Sequence, residues 1–178
     1  MQGQNKEDAA VAFLPFPDAF YDNVFQITPK ALTDRGITLL LADLDNTLVP
    51  YKTPVPDDRL LAWRRELEAG GVTLFLLSNS RKPGRPKRFA DALGIDFVGH
   101  AGKPKRGGFR KALEHTGRTP AQTAIVGDQI FTDTLGGKRA GITTLLVRPI
   151  RLAGNPGRYL RYWAETPFRM VAQRRGVL

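Results

Sequence analysis

Apolar residues in this chain fall into short uninterrupted runs separated by longer mixed stretches, and this alternation predicts the order of the elements. The runs that predict strands lie at 37–42, 72–77, 96–98, 123–126 and 143–147. Helices are predicted between them, at 56–69, 83–93, 107–115 and 133–140. Continuous apolar runs are typical of parallel strands that are buried on both faces. The pattern predicts an α/β fold with a central parallel sheet of about five strands and helices on both faces.

Capping residues mark where several of the predicted helices begin and end. Thr28 and Pro29 open a short helix that Gly36 ends, and Pro56 with the two aspartates after it opens the next one. The chain has 178 residues, 42% of them hydrophobic, which is enough for one well-buried domain. We therefore expect a single core rather than two domains of ordinary size.

The first predicted strand ends in two carboxylates, Asp43 and Asp45. Residues two apart in an extended chain share a face, so the two acids should project together while Leu44 anchors in the opposite layer. At an effective dielectric constant near 20, like unit charges about 4 Å apart repel by roughly 4 kcal/mol. The pair therefore predicts a bound metal ion, a shifted pKa, or both.

Polar residues also follow the other predicted strands. Parallel sheets bind ligands in the crevice outside the carboxyl ends of their strands, so these residues should meet at one edge. Each has an ordinary structural explanation when taken alone, such as an exposed turn, a strand exit or a basic loop. Together they form a set suited to chemistry on a charged group. The set comprises Ser78 and Asn79 after the second strand, Lys103 after the third, Asp128 after the fourth, and Asp133 at the start of the next helix.

Hydrolysis of a phosphate monoester requires a nucleophile, an acid for the leaving oxygen, a hard cation and donors for the phosphoryl oxygens. The residues at the predicted sheet edge supply each of these groups. A ligand set of aspartates without His or Cys is the type that Mg²⁺ prefers. His100 and His115 lack paired ligands at metal-binding spacing, and we expect neither to be catalytic.

Four segments of the chain resemble the motifs of the haloacid dehalogenase (HAD) superfamily of phosphatases. More narrowly, the chain is similar to subfamily IIIA, the YqeG-type branch related to mitochondrial phosphatidylglycerophosphatases, from about Phe13 to Ile150. The segments are Asp43-Leu-Asp45-Asn-Thr-Leu, Ser78-Asn79-Ser80, Gly102-Lys103-Pro104 and Gly127-Asp128-Gln-Ile-Phe-Thr-Asp133.

The resemblance implies a role for each residue of the predicted site. Asp43 is expected to attack phosphorus and become an aspartyl phosphate, and Asp45 to protonate the leaving alcohol and then activate water. Phosphoryl oxygens are expected to bind Ser78, Asn79 and Lys103, and Lys103 should also screen the carboxylates. The ligands expected for Mg²⁺ are Asp43, the backbone carbonyl of Asp45, Asp128, and Asp133 directly or through water.

Many members of this superfamily carry an inserted cap domain, and this chain leaves no room for one. Asp45 and Ser78 are 33 positions apart, and Ser78 and Lys103 are 25 apart. The predicted helices and strands occupy both intervals. An open site favours a substrate presented on a large surface, such as a bilayer or a macromolecule, or a partner that completes the lid.

The net charge is +10, and the basic excess is concentrated in two regions. Residues 81–111 hold ten basic and two acidic side chains, and the last 28 residues hold six against one. Such charge attracts phosphates, nucleic acid or an anionic lipid surface. Residues 151–178 also place aromatic side chains among the arginines, a pattern suited to a membrane interface. The same residues would equally suit packing over the sheet or dimerisation, and Pro167 should break the helical pattern.

The chain has no cysteine, no signal-like N-terminus and no apolar run of membrane-spanning length. These features favour the cytoplasm, with peripheral contact at the inner face of the membrane. The sequence predicts an N-terminal segment at 1–12, a capless phosphatase domain at 13–150 and a basic aromatic extension at 151–178. It leaves the oligomeric state open.

Three functions are consistent with these features. The first is a Mg²⁺-dependent phosphatase acting on an anionic phosphate monoester, with phosphatidylglycerophosphate as the favoured substrate. The second is a phosphatase acting on soluble sugar, nucleotide or nucleic-acid-end phosphates. The third is a non-enzymatic RNA- or ribosome-associated module that retains the phosphatase scaffold.

Overall fold

The computed structural model describes residues 15–51, 53–80, 82–151 and 156–176 of the chain. The segment 1–12, which the sequence sets apart as an N-terminal extension, lies outside these residues. The described residues form six strands. These are β1 (Ala19–Tyr21), β2 (Leu39–Ala42), β3 (Thr73–Leu77), β4 (Phe97–Val98), β5 (Thr123–Gly127) and β6 (Thr143–Val147).

Six α-helices accompany the strands, and capping residues fix several of their ends. The Thr28 hydroxyl accepts a hydrogen bond from the backbone N–H of Ala31 at 3.2 Å, and the Asp57 carboxylate accepts one from Leu60 at 2.8 Å. The helices are α1 (Pro29–Thr33), α2 (Asp58–Ala69), α3 (Arg85–Leu93), α4 (Arg106–Thr116), α5 (Leu135–Ala140) and α6 (Pro156–Arg175). Short 3₁₀ turns lie at Val24–Gln26 and Pro120–Gln122, and a π-helical turn spans Ile130–Thr134.

The sheet is parallel throughout and has the order β1-β6-β5-β2-β3-β4. Strand β2 lies between β5 and β3, so that Leu41 pairs with Ile125 on one side and Phe75 on the other. Because all six strands point the same way, their carboxyl ends meet at one edge of the sheet. The structure thus confirms the predicted parallel α/β fold.

Two buried clusters on opposite faces hold the helices against the sheet. Leu40 and Ala42 face the cluster that includes residues of α1, α2 and α3, whereas Leu39 and Leu41 face the cluster that includes Phe109 of α4. This alternation follows from the period of two in an extended chain. A third, smaller cluster joins Ile130 and Leu146 to partly buried aromatic residues, among them Phe168 of α6.

Strand β1 is a sixth strand that the sequence did not predict. It has three residues, and it pairs with β6, whose partner residues are 126 positions away in the chain. The side chain of Asp18 anchors it by accepting hydrogen bonds from the backbone N–H of Thr144 at 2.8 Å and from its hydroxyl at 2.9 Å. A strand this short carries no local periodicity, and its stability comes from pairing with a distant strand.

The prediction that Pro167 breaks the C-terminal helix is wrong, because α6 continues through it. Proline removes one backbone N–H and crowds the preceding turn, which normally kinks or ends a helix. Here both flanks of Pro167 are held to the core by buried side chains, Glu165 and Arg169. Tertiary contacts thus override the local preference. Among the described residues, no helix is long and apolar enough to span a membrane.

Candidate active site

Asp43 and Asp45 lie immediately beyond the carboxyl end of the central strand β2, and both are buried. The backbone N–H of Asp43 continues the pairing with β5 by donating to the carbonyl of Val126 at 3.0 Å. Leu44 between them is fully buried in the core, as the alternation of an extended chain requires. The chain then turns at Asn46, whose φ of 70° is a left-handed conformation that asparagine tolerates better than most residues.

Lys103 places one cation between two carboxylates. Its Nζ lies 2.7 Å from Oδ1 of Asp43 and 2.7 Å from Oδ1 of Asp133. The same ammonium donates to the backbone carbonyl of Leu77 at 2.7 Å. Two of these contacts, to Asp43 and to the Leu77 carbonyl, are hydrogen bonds, and the contact with Asp133 is an ion pair.

Asn79 holds the backbone of Lys103 in position. Its side-chain amide donates to the Lys103 carbonyl at 3.0 Å and its oxygen accepts from the Lys103 N–H at 2.9 Å. This reciprocal pair links the loop after β3 to the loop that carries Lys103. The structure thus gives Asn79 a positioning role, and its contact with phosphate stays a prediction.

Asp43, Asp128 and Asp133 form a compact acidic cluster. Each of the three buried residues offers a carboxylate oxygen, and these oxygens lie within 4.8 Å of one another. Gly127 makes the close approach possible, because a Cβ atom at that position would lie 2.3 Å from the Asp133 carboxylate. Two of these acids, Asp43 and Asp133, pair with the Lys103 ammonium, and Asp128 lies in the same cluster. An oxygen-only donor set with residual negative charge fits a hard divalent cation.

Burial and neighbouring charge both perturb the titration of this cluster. Burial raises the pKa of Asp133 to about 6, and the Asp43 carboxylate acts in the same direction while Lys103 opposes them. For Lys103, burial by itself lowers the pKa, but attraction to Asp133 and Asp43 outweighs it and raises the pKa above its ordinary value. Lys103 is therefore charged at neutral pH, and the cluster retains an excess of negative charge.

Asp45 has a different cation as its partner, and the sequence analysis did not identify it. Arg85, at the start of α3, donates to Oδ1 of Asp45 through Nη2 at 2.6 Å and through Nε at 3.2 Å. Its Nη1 donates to the backbone carbonyl of Thr53 at 2.5 Å. Arg85 is buried, so this is a desolvated, charge-assisted contact rather than a surface ion pair.

Ser78 and Thr47 complete the polar wall of the site. Ser78 is buried beside Leu77, and its hydroxyl oxygen accepts a hydrogen bond from the backbone N–H of Ser80 at 3.1 Å. The Thr47 hydroxyl lies 3.4 Å from Oδ1 of Asp128, at the long end of hydrogen-bond distances. The structure thus gathers Asp43, Lys103, Asp128 and Asp133, with Asn79 holding the Lys103 backbone. Asp45 and Ser78 are buried at the ends of β2 and β3, and their place in a common site stays a prediction.

Helix α6 contributes a second buried pair that the sequence analysis missed. Arg169 donates to the backbone carbonyl of Asp128 and, at 2.7 Å, to Oε2 of Glu165. The other oxygen of Glu165 accepts from the backbone N–H of Phe131 at 3.0 Å. Glu165 is the single acid within residues 151–178, and Arg169 follows it by four positions, one helical turn later. That spacing was the available signal. The pair fastens α6 to the loop that carries Asp128 and Asp133.

Asp133 lies in the π-helical turn, not at the first position of an α-helix as the sequence predicted. The backbone N–H groups of Asp133 and Thr134 both point to the carbonyl of Gln129, at 2.9 and 3.3 Å. In return, the Asp133 carboxylate accepts from the N–H of Gln129 at 3.2 Å. The π-helical turn therefore holds the Asp133 carboxylate against the backbone of Gln129.

Comparison with known proteins places this site in a family. The HAD-hydrolase-like family model matches residues 100–149. Over 156 residues the chain is 35% identical to "Probable phosphatase YqeG" of Bacillus subtilis (strain 168), covering 88% of this chain and 89% of that protein. It is 32% identical over 151 residues to "Phosphatidylglycerophosphate phosphatase 1, chloroplastic" of Chlamydomonas reinhardtii, covering 80% of this chain and 56% of that protein.

A solved structure shares the fold. The chain resembles the cobalt-bound form of the deoxy-D-mannose-octulosonate 8-phosphate phosphatase from Haemophilus influenzae, with a TM-score of 0.50 and 18% identity. The similarity covers 80% of this chain and 92% of that structure. It confirms the predicted fold class.

Proposed function

We propose a mechanism from one premise: this chain belongs to the HAD superfamily of phosphatases, in the YqeG-type branch, and is a phosphoric monoester hydrolase. The proposal is that Asp43 is the nucleophile, Mg²⁺ is the cofactor and phosphatidylglycerophosphate is the substrate. The observation that carries it is the buried cluster of Asp43, Asp128 and Asp133, two of which pair with Lys103.

In the first step, a carboxylate oxygen of Asp43 attacks phosphorus. The new bond joins that oxygen to phosphorus, and the bond from phosphorus to the ester oxygen breaks with its electron pair. The proposed step requires Asp45 to be protonated when substrate is bound, whereas its ion pair with Arg85 favours the charged form without substrate. Asp45 then gives its proton to that oxygen, so the leaving group departs as a neutral alcohol. Asp43 is left as an aspartyl phosphate. The position of Asp43 at the end of a buried central strand supports this role, because it fixes the attacking oxygen.

In the second step, water displaces the Asp43 carboxylate from phosphorus. Asp45, now deprotonated, takes a proton from the water as its oxygen attacks the phosphoryl group. The bond between phosphorus and Asp43 breaks, and inorganic phosphate is released. One residue thus serves as acid and then as base, and Asp45 returns to its starting state.

The acidic cluster fits the proposed Mg²⁺ by charge and by donor type. Its buried carboxylate oxygens lie within 4.8 Å of one another, and the three acids have one neighbouring cation, Lys103, to balance their charge. Asp43, Asp128 and the backbone carbonyl of Asp45 would hold the ion, with Asp133 acting directly or through water. When bound, Mg²⁺ would supply neutralisation of the charge shared by the carboxylates and the phosphoryl oxygens. Ser78, Asn79 and Lys103 are proposed to bind the remaining phosphoryl oxygens.

The open surroundings of the site support a substrate presented at a membrane. Between Asp45 and Ser78, the described residues form a loop, α2 and β3, without an inserted cap domain. The relative from Chlamydomonas is named as a phosphatidylglycerophosphate phosphatase, although the chain spans little more than half of its length. We therefore propose that the protein acts in the cytoplasm, with peripheral contact at the anionic inner surface of the membrane.

Phosphate release from phosphatidylglycerophosphate in vesicles tests the proposal. The native protein should release phosphate when Mg²⁺ is present. Phosphate release should stop when the ion is chelated and return when Mg²⁺ is added back. Asp43→Asn should abolish turnover, because an amide cannot form the aspartyl phosphate. Asp58→Asn, the same change at an exposed position on α2, is the matched control and should act like the native protein. Equal turnover by Asp43→Asn and the native protein would reject the nucleophile.

A panel of soluble phosphate monoesters tests the rival substrate class. Turnover of sugar or nucleotide phosphates, together with none of the lipid, would favour a soluble substrate and keep the mechanism. Membership in a phosphatase family argues against the non-enzymatic RNA module. Two results together would favour that module: salt-dependent RNA binding that is the same in Asp43→Asn and the native protein, and no turnover of any phosphate ester.

A further inference from the structure

Exposed apolar side chains gather at the carboxyl edge of the sheet, around the entrance to the site. Tyr51 and Val55 lie in the loop after β2 and are 44% and 57% exposed. Ile150 follows β6, is 48% exposed, and its backbone N–H donates to the carbonyl of Asn46 at 3.0 Å. This bond fastens Ile150 beside the loop that carries the two catalytic aspartates.

Trp163 on helix α6 is also exposed, but it points away from this surface. It lies two residues before Glu165, which accepts the N–H of Phe131 in the loop after β5. Residues two apart on a helix point to nearly opposite sides, so Trp163 faces away from the loop that Glu165 contacts. Single exposed apolar residues are ordinary, but here Tyr51, Val55 and Ile150 belong to loops at one edge.

The charges at this edge are mainly positive. Outside the proposed site, the exposed basic residues of the edge loops include Lys82, Lys105, Arg106 and Arg151. Lys82 also lies over the Tyr51 ring, with its Nζ 4.3 Å from the ring centroid. Among the exposed acids on the same edge, Asp22 pairs with Arg148 and Asp57 caps α2, while Asp58 lies in the first turn of α2.

The acids at the opposite end of the sheet are paired with basic side chains. Glu68, Asp91 and Asp96 line the hollow beside the start of β3, and they pair with Arg64, Lys87 and His115 respectively. The carboxyl edge is therefore distinguished by its exposed apolar side chains together with its exposed basic ones, not by a repulsive charge at the other end.

We propose that the rim formed by Tyr51, Val55 and Ile150 docks on an anionic phospholipid bilayer, which points the open site at the membrane surface. The inference rests on the proposed function and adds the surface that delivers a lipid phosphate to Asp43. Aromatic side chains favour the lipid headgroup region, and aliphatic ones enter the acyl boundary. The exposed lysines and arginines add attraction to anionic headgroups. Val55 and Ile150 favour a bilayer over nucleic acid, because aliphatic side chains do not stack on bases.

The test is sedimentation of the full chain with vesicles that contain no phosphate monoester. We expect binding to phosphatidylcholine vesicles that include phosphatidylglycerol and little binding to phosphatidylcholine alone. The double variant Val55→Ser, Ile150→Ser should bind the anionic vesicles about tenfold or more weakly, because two aliphatic anchors are lost. Lys105→Glu with Arg106→Glu should also weaken binding, whereas Arg118→Glu, an exposed charge at the amino end of β5, should not.

Turnover of p-nitrophenyl phosphate, a soluble ester, shows that the variants are folded and active. The Val55 and Ile150 double variant should retain this turnover and lose turnover of the lipid in vesicles. Native-like vesicle binding by this variant would overturn the proposal, as would a native protein that binds RNA and ignores anionic vesicles. Failure of the proposed substrate looks different: the native protein would bind the vesicles yet release no phosphate from phosphatidylglycerophosphate placed in them.

Discussion

Asp43 and Asp45 are two positions apart and similarly buried, but each has a different electrostatic environment. Asp43 shares the Lys103 ammonium with Asp133, and Asp128 lies in the same cluster. Asp45 has Arg85 to itself, through two hydrogen bonds from one guanidinium. One side of the site therefore has more acids than cations, and the other side is a balanced pair.

In the proposed mechanism, this difference would separate the tasks of the two aspartates. Excess negative charge on the Asp43 side would attract a divalent cation and, with it, a phosphoryl group. The pair on the Asp45 side has no residual charge to attract a metal ion, and two donors of Arg85 on the single oxygen Oδ1 fix where the carboxylate points. Identical side chains at i and i+2 can thus serve as nucleophile and as acid because their neighbours differ.

The largest expected effect separates the two aspartates by their dependence on the leaving group. Asp45→Asn should slow hydrolysis of an alkyl phosphate by about a thousandfold, a typical loss for a general acid. The loss should be much smaller for p-nitrophenyl phosphate, whose leaving group departs without a proton. Asp43→Asn should lose both activities equally. These rates are measured as kcat/KM for the two esters. Equal losses on both esters for Asp45→Asn would remove its role as the acid.

The next effect concerns stability on the Asp43 side. Lys103→Met leaves buried carboxylates without their cation, and breaking a buried pair in this way costs about 3–5 kcal/mol of unfolding free energy. Because the variant's cluster is more negative, added Mg²⁺ should stabilise it by more than it stabilises the native protein.

Urea unfolding of Lys103→Met, with Mg²⁺ and with a chelator, measures both the loss of unfolding free energy and the stabilisation that Mg²⁺ adds. The matched control is Lys87→Met, which removes an exposed lysine paired with Asp91 and should cost about 0–1 kcal/mol. If Lys103→Met and Lys87→Met unfold at the same midpoint, Lys103 does not hold the acids together.

The residues at the strand ends were predictable because a parallel sheet constrains them strongly. Once the apolar runs are assigned to parallel strands, the carboxyl ends must meet at one edge, whatever their separation in sequence. Asp43, Ser78 and Asp128 follow directly from this rule. Lys103 follows from it less directly, because β4 has only two residues and the Asn79 clamp fixes the loop beyond it.

Arg85 and β1 were not predictable from local sequence. Arg85 lies among the ten basic residues of 81–111, and nothing local distinguishes it from its exposed neighbour Arg88. Its partner Asp45 is 40 positions earlier, so the pair exists only after α3 packs on the sheet. Strand β1 likewise depends on a partner more than a hundred positions away. Long-range pairing is the common reason for both omissions.

The smallest expected effect tests whether Arg85 positions Asp45. A hydrogen bond to a charged group contributes about 1.5–3 kcal/mol, so Arg85→Met should reduce turnover of an alkyl phosphate by roughly ten- to a hundredfold. Arg85→Lys keeps the charge but not the two-point geometry, and it should recover only part of the activity. Arg88→Met, an exposed change on the same helix, should have no effect.

Two further readouts distinguish positioning by Arg85 from general damage to the fold. Loss of p-nitrophenyl phosphate turnover should be smaller than loss of alkyl phosphate turnover, because only the alkyl ester depends on proton delivery by Asp45. The concentration of Mg²⁺ that gives half-maximal activity should be unchanged, since Arg85 bonds to Asp45 and Thr53 and the acidic cluster is a separate set of residues. A parallel weakening of Mg²⁺ dependence would show instead that the two sides of the site act as one unit, and the separation of tasks between Asp43 and Asp45 would be wrong.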